Sequence, residues 1–384
     1  MTAAGATPPS VETLRRIDSP DDLIARWRPL PQAAHEFPQS AEWTAVAAQS
    51  LYAPGALRFI QLSQQGEIVG LAPMAVTRGG FVERLEIAGA TTLFEPCGFA
   101  YRDQAALQTL CEALVRAGRP LILQRIEAEG ALAQTFKSAA RGCGQLLQFN
   151  ASGAPFVPIA SSWDQYFQSL SSRRRQDYRR ARRGLERIGK IDVEIRSPDA
   201  ATVEAEMAEA MRVEAASWKG REGSAMLTNP RLSGFFLQLA ARLARCGDLR
   251  LCFLRLNGEA IAMQLAVVHG GRWWVLKIGY DERWAEHSPG IQLMWDVLRE
   301  AFQQGLTSFE MLGSAEPWLT IWTREQRTYR TLAFYPYNGR GMTALSADIM
   351  AVCAKRAGAW FEGKSRAKAV PARENGGTVA GPDT

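Results

Sequence analysis

The sequence predicts a mixed α/β protein made of two similar halves, and three observations predict it. First, LRFIQLSQQGEIVGLAPMAV (57–76) aligns without gaps on LRLCFLRLNGEAIAMQLAVV (249–268). Leu57/Leu249, Arg58/Arg250, Leu62/Leu254, Gly66/Gly258, Glu67/Glu259 and Val76/Val268 are identical. Second, both copies are flanked by the same order of signals: helix, hairpin, strand, helix, strand. Third, strands that feed helices before the next strand require crossovers, and so a sheet with helices on its faces.

Each element follows from local chemistry. The apolar runs of the two copies are joined by Gln65-Gly66 and Asn257-Gly258, and Asn-Gly between apolar runs is a hairpin signal. A helix after Phe37 (SAEWTAVAAQSL) precedes copy one; LSGFFLQLAARLARCG (232–247) precedes copy two. Copy one is followed by a strand over 83–88, a helix over 104–117 and a strand over 120–126. Copy two is followed by a strand over 272–278, a helix over 291–304 and a strand over 307–312. In the last helix Ile291, Met294, Trp295, Leu298 and Phe302 share one face, while Gln292, Asp296, Arg299 and Gln303 face away. Ser288 suits its N-cap, Pro289 its first turn and Gly305 its close.

The chain has 384 residues, 47% hydrophobic and 22% charged, which is ordinary for a globular protein and excludes wholesale disorder. Two domains are expected at this length. They are 11–160 and 161–342, followed by a helix over 343–363, with disordered segments at 1–10 and 364–384. In that helix Leu345, Ile349, Val352, Cys353 and Trp360 recur at near-helical spacing, and Lys355, Arg356, Lys364, Arg366 and Lys368 follow. Packing on the domain is expected, with peripheral contact on an anionic membrane as the alternative. No apolar run reaches the roughly 18 residues of a membrane span. The first residues lack the apolar core of a secretory signal. A cytoplasmic location is expected, with the inner membrane face as the peripheral alternative. The six Cys are scattered without C-x-x-C spacing, and the three His stand apart. Neither a disulfide framework nor a metal is expected.

The junction from Tyr280 to Gly290 runs from a strand into a capped helix. The free N–H groups at Gly290, Ile291 and Gln292, with the helix dipole, form a generic anion site. Copy one has no glycine at the matching helix start (Tyr101-Arg102-Asp103-Gln104), so a cofactor site belongs to the second half. Trp218-Lys219-Gly220-Arg221 places an aromatic and two cations on one apparent loop, read either as an acceptor site or as a solvated turn. The densest charge block is Arg173–Lys190. At helical spacing Arg175, Arg179, Arg182 and Arg183 share a face, and Tyr178 and Leu185 mark the buried side. With Asp177 and Glu186 as the few carboxylates, this face is expected to lack internal partners and to meet phosphates. The Trp cluster (Trp273, Trp274, Trp284, Trp295, Trp318, Trp322) reads mostly as core, with a member or two lining an acceptor cleft.

The second half resembles the Gcn5-related acyltransferase (GNAT) superfamily, in particular the BioF2-like, CelD cellulose-biosynthesis group. The matching stretches are SSRRRQDYRRARRGLERIGKIDVEI (171–195), SWKGREGSAM (217–226), the hairpin at 249–268, LKIGYDERWAEHSPGIQLMWDVLREAFQQGLTSFEMLG (276–313) and the Trp322 segment. The resemblance covers about residues 160–340. It implies tandem GNAT-like units, as in the Fem aminoacyl transferases, each a mixed twisted sheet flanked by helices. It also implies an acyl-CoA, acetyl-CoA first, wedged where two parallel strands splay. Lys277, Ser288, Pro289, Gly290, Ile291 and Gln292 then form the cofactor side. Trp218, Lys219, Arg221, Glu222, Trp318 and Trp322 form the substrate side. Two departures stand out. The superfamily's glycine-rich phosphate loop is reduced to Pro289-Gly290. The group's Tyr-Lys after Gly-x-x-Glu is Trp318-Leu319 here, after Gly313-Ser314-Ala315-Glu316.

Acyl transfer to an amine needs a base and an acid for the leaving thiolate. Glu316, Asp281 and Glu222 are the candidate bases; Tyr280 and His287 are the candidate acids. The leading function implied is N-acylation of an amino sugar, free or lipid-linked, in surface polysaccharide biosynthesis. The rivals are a catalytically lost fold whose Arg face senses a cyclic dinucleotide such as c-di-GMP, and a Fem-like aminoacyl transferase. Nucleic acid is not an expected partner.

Overall fold

The structure, a computed structural model, describes residues 9–31, 36–53, 55–79, 82–223 and 225–368, with side chains up to 354. Most of the two expected tails, and the side chains of Lys355, Arg356, Trp360, Lys364, Arg366 and Lys368, lie outside the described residues.

The hairpins form as the turn residues dictate. Strands β2 (Phe59–Gln64) and β3 (Glu67–Ala72) are joined by Gln65 (φ 53°) and Gly66 (φ 82°). Strands β10 (Leu249–Leu256) and β11 (Glu259–His269) are joined by Asn257 (φ 52°) and Gly258 (φ 86°). Positive φ at both central positions is the geometry that matches strand twist. The copies then differ. Pro73, which has no N–H to give a ladder, ends β3, and the chain restarts in another sheet as β4 (Met74–Gly79). At the aligned Leu265 the second copy continues unbroken.

A four-stranded sheet has the order β1-β2-β3-β6, with β1 at Ser10–Leu14 and β6 at Ala100–Tyr101. A ten-stranded sheet has the order β4-β5-β7-β14-β8-β13-β12-β11-β10-β9. Its remaining members are β5 (Val82–Ile87), β7 (Leu121–Glu127), β8 (Gly144–Pro158), β9 (Ile191–Arg196), β12 (Arg272–Tyr280), β13 (Ser308–Glu310) and β14 (Gln326–Pro336). The halves exchange strands: β14, from the end of the chain, lies between β7 and β8 of the first half, and β8 pairs with β13 of the second.

The helices are α1 (Pro20–Trp27), α2 (Ala41–Leu51), α3 (Ala90–Leu93), α4 (Gln104–Arg116), α5 (Ala131–Ala140), α6 (Trp163–Ser169), α7 (Ser172–Ile188), α8 (Val203–Ala215), α9 (Trp218–Arg221), α10 (Pro230–Cys246), α11 (Pro289–Gln303) and α12 (Gly339–Lys368). Strand β10 shows why both faces of the second sheet are covered. Leu249, Leu251 and Phe253 pack under α8 and α10, while Cys252, Leu254 and Leu256 pack under α7 and α11. Trp43 of α2 joins the first of these cores, edge-on to Phe235 at 5.0 Å, so the halves share packing as well as strands. Helix α12 docks through Ala344, Leu345 and Ala347, and Asp348 takes Arg84 and the Tyr335 hydroxyl. Ile349, Val352 and Cys353, expected on its packed side, are exposed, because the contact with β5 and β14 covers only the helix's first turns.

Candidate active site

The site is made by a sheet that comes apart. β12 and β13 run parallel but pair only at Arg272–Trp274 with Ser308–Glu310. Beyond that, Leu276 is an extra residue against β11, since Leu265 faces Lys277 and Ala266 faces Val275. A bulge of this kind bends its strand and disrupts the ladder locally; pairing with β11 resumes from Lys277 to Tyr280. On the other side the chain leaves β13 through two successive left-handed residues, Leu312 (φ 51°) and Gly313 (φ 56°). Between the diverging strands lies a cavity of about 600 Å³, largely apolar. Val275–Tyr280 form one wall and Met311–Ser314 the other, with Met294 between them; Trp218, Glu316 and Trp318 also line it.

Helix α11 brings its first turn to this cavity through Gly290 and Ile291. Pro289 has no N–H, and the Gln292 N–H already bonds the Ser288 carbonyl at 3.1 Å. The two N–H groups left over are those of Gly290 and Ile291. Ser288 does not cap with its side chain as expected. It sits in the left-handed region (φ 50°), whereas a capping hydroxyl needs extended backbone. Gln292 is fully buried and turned away, donating to the Tyr178 carbonyl, and Pro289 is buried outside the cavity. Of the expected cofactor residues, the cavity therefore gathers Lys277, Gly290 and Ile291.

Two lysines, Lys277 of β12 and Lys219 of α9, line the cavity. Lys277 lies with its ammonium 5.0 Å from the Phe236 ring centre. Lys219 donates to the Ile278 carbonyl at 2.7 Å and lies 3.8 Å from Glu214, which is fully buried; burial pushes the Lys219 ammonium below its usual range. Tyr280 lines the cavity beside Gly290. Glu316, exposed at the rim, accepts from Trp318 at 2.6 Å. One residue that the sequence did not single out joins them from the first half. Glu95 lines the cavity, and its carboxylate accepts the Gly313 N–H at 3.0 Å. Burial raises it to about 7, against the pull of that bond and of Arg125 and Lys277.

Other expected residues are engaged elsewhere. Asp281 caps the turn after β12 and is paired with Arg283 at 2.8 Å, which holds its carboxyl below the usual range. Its role is structural. His287 packs against Gly184 of α7 and does not reach the cavity. Arg221 is paired with Glu282, and neither it nor exposed Glu222 lines the cavity. Trp322 is core: it is 2% exposed, with its ring 4.5 Å from Trp295. Trp273, Trp274 and Trp295 are buried too; Trp318 is the cluster's cavity-lining member, and Trp218, from the separate Trp218–Arg221 stretch, lines the cavity with it.

The Arg-rich face is corrected in part. It forms helix α7, with Leu185 buried and Tyr178 against Trp295, as the spacing implied. Arg182, however, reaches buried Asp296 of α11 at 2.9 Å, and Arg175 donates to the Gln168 and Leu170 carbonyls that end α6. These partners lie outside the helix, and Arg182 also meets Glu186 of its own helix at 3.7 Å, so the face is not a row of unpaired cations. Arg179 and Arg183 are the exposed members, Arg179 lying over the Phe167 ring. Among the described residues no group of three or more His, Cys, Asp or Glu is placed to hold a metal, and no helix is long and apolar enough to cross a membrane.

Residues 172–319 match the acetyltransferase (GNAT) domain family. No curated protein sequence matches the chain. Among solved structures, FemX is similar at 14% identity over 85% of this chain and 98% of its own, with a TM-score of 0.55. The C-terminal domain (DUF2156) assigned to a lysylphosphatidylglycerol synthetase of Agrobacterium fabrum is similar at 12% identity over 86% and 98%, with a TM-score of 0.53. A conserved protein of unknown function from Bacteroides thetaiotaomicron is similar at 10% over 85% and 99%, with a TM-score of 0.52. At such identities the likeness is one of fold, and it extends over both halves. The chain is thus a mixed α/β protein whose twisted mixed sheets are flanked by helices, and the unit at residues 172–319, which holds the splayed strands and most of the cavity lining, is a GNAT-type acyltransferase domain.

Proposed function

We propose that the protein transfers an acyl group, acetyl in the first instance, from acyl-CoA to a primary amine. The observation that carries this reading is the cavity between β12 and the chain after β13, closed at one end by the first turn of α11. The edge of β12 beyond Trp274 has no strand partner on this side, so its peptide groups can pair with the amides of a pantetheine arm. The free Gly290 and Ile291 N–H groups suit a pyrophosphate, and the missing Cβ of Gly290 lets it approach. The apolar lining excludes water from the thioester. Tyr280, which lines the cavity beside Gly290, is the acid this reading assigns to the departing sulfur. Trp218 and Trp318, with Glu316, are the residues this reading assigns to the acceptor side, and aromatic rings beside a carboxylate suit an amino sugar. An amino sugar of a surface polysaccharide precursor, free or lipid-linked, is the acceptor this reading favours, in keeping with the resemblance to the CelD group.

The test is calorimetric titration of the full chain with acetyl-CoA, followed by thiol release on adding glucosamine. Micromolar binding and amine-dependent thiol release are expected. No binding at millimolar acetyl-CoA overturns the proposal.

A further inference from the structure

We propose that Glu95, carried by the first unit, is the general base of the second unit's active site, taking the proton of the acceptor ammonium. This rests on the acyl-transfer reading above and adds to it the assignment of the base and its origin in the other unit.

The position is fixed by a closed set of bonds across the boundary between the halves. Phe94, in the left-handed region (φ 57°), ends α3 and turns Glu95 toward the second unit. Arg125 of β7, only 1% exposed, donates to the Phe94 carbonyl and, at 2.5 Å, to the Gly313 carbonyl. Gly313 in turn gives its N–H to Glu95 Oε2 at 3.0 Å. Residues 94–95 are thereby pinned to the turn that opens the cavity. Arg125 is itself in the left-handed region (φ 51°), and backbone held in such a region marks a place where the surroundings over-determine the geometry. Only Oε2 is taken. Among the described residues Oε1 has no protein donor, and the side chain lines the cavity with Lys219, Lys277, Tyr280 and Gly290.

The other carboxylates are less suited. Asp281 is bound to Arg283, Glu214 is sealed from solvent behind Lys219, and Glu316 is exposed at the rim. The charged and titratable groups facing Glu95 are Arg125 from β7, Lys277 and Tyr280 from β12, Lys219 from α9 and Glu316 from the loop after β13. Burial outweighs the cations and sets the carboxylate near neutrality, where a base is strong enough to deprotonate and still ionised.

The step balances. The ammonium gives one proton to Glu95. The neutral amine attacks the thioester carbonyl, the C–N bond forms and the C–S bond breaks. The second amine proton passes to sulfur, giving amide and thiol, and Glu95 returns its proton to solvent.

Glu95→Gln tests this, because the amide oxygen still accepts the Gly313 N–H while the base is gone. Thiol release from acetyl-CoA is followed with glucosamine and ethanolamine from pH 5.5 to 9, beside carboxyl-carbon NMR of glutamate-labelled protein in which the variant assigns the Glu95 signal. The wild type is expected to lose kcat below about pH 7, with the Glu95 carboxyl titrating there. The variant should bind acetyl-CoA within about threefold of wild type, lose kcat by about 100-fold or more and lack the acid limb. Amine-dependent turnover that Glu95→Gln leaves intact, or a Glu95 carboxyl titrating near 4.5, overturns the assignment and leaves acyl transfer standing. Absence of turnover in the wild type overturns both.

Discussion

Replacing Gly290 by Asp tests the cofactor end of the cavity directly. Gly290 is the second residue of α11, and a Cβ built on it lies 3.3 Å from the Tyr280 ring, a contact the ring can relieve by a few tenths of an ångström. The new carboxylate stands at a helix N-terminus, where negative charge is stabilising by about 0.3–1 kcal/mol, so the fold is expected to survive. Against a pyrophosphate the same charge is repulsive. At about 5 Å and an effective dielectric constant of about 20, two unit charges repel by about 3 kcal/mol. Screening at the open mouth halves that, leaving about 1.5–3 kcal/mol, or roughly 10–100-fold in Kd. Gly290→Ala adds the Cβ without the charge and is expected to cost threefold or less. Calorimetry with acetyl-CoA at low and moderate salt reads both variants, and the gap between them should narrow with salt. An Asp variant that binds within twofold of wild type refutes phosphate binding at this helix start.

Further outcomes follow from the same geometry. Trp322→Ala empties a fully packed site beside Trp295 and should cost about 3–5 kcal/mol in urea unfolding, with acetyl-CoA affinity unchanged under native conditions. Lys219→Met removes the counter-charge of buried Glu214 and should cost about 1–3 kcal/mol; adding Glu214→Gln should recover most of it. Arg182→Glu sets like charges together at buried Asp296 and should cost about 3 kcal/mol or more, whereas Arg179→Glu with Arg183→Glu should stay within about 0.5 kcal/mol in the same unfolding assay. Glu95 gives a pH dependence. Its carboxyl is raised in the folded state to about 7, so the folded state binds more protons than the unfolded one between about 4.5 and 7, and stability falls as pH rises through that window. Glu95→Gln should match wild type near pH 5 and be more stable by about 2 kcal/mol at pH 8, measured by urea titration at both.

What was legible in the sequence is what local chemistry decides. Asn257-Gly258 fixes its hairpin by itself. The period of Ile291, Met294, Trp295, Leu298 and Phe302 marks α11 as a helix, but Gln292 and Asp296, expected to face away, are buried as well, because α7 covers that side through the Tyr178 carbonyl and Arg182. The start of α11 was legible because Ser288-Pro289-Gly290 follows a strand in sequence as well as in space. What escaped is held by distant partners. Arg182 looked unpaired because Asp296 lies 114 residues away. Glu95 carried no signal because the Gly313 N–H that positions it is 218 residues distant, and Glu-Pro-Cys-Gly matches no motif. Pro73 was visible, but that it sends the chain into a second sheet depends on which strands wait there. Strands β8 and β14 went unread because neither alternates apolar and polar residues cleanly: β8 runs from half-buried to exposed and back along its length.

The exchanged strands also set an order of events during synthesis. Strand β7 needs β14 beside it, and β14 is made last, roughly two hundred residues after β7. At about 5–20 residues per second the ribosome takes tens of seconds at the slow end, and about ten at the fast end, to supply it. For that interval the nascent first half presents the bare rims of β7 and β8 to anything able to add a strand. A chain stopped after residue 160 would keep those rims permanently. The duplication that looks like two separable modules has therefore become one cooperative unit, and its halves should unfold in a single transition.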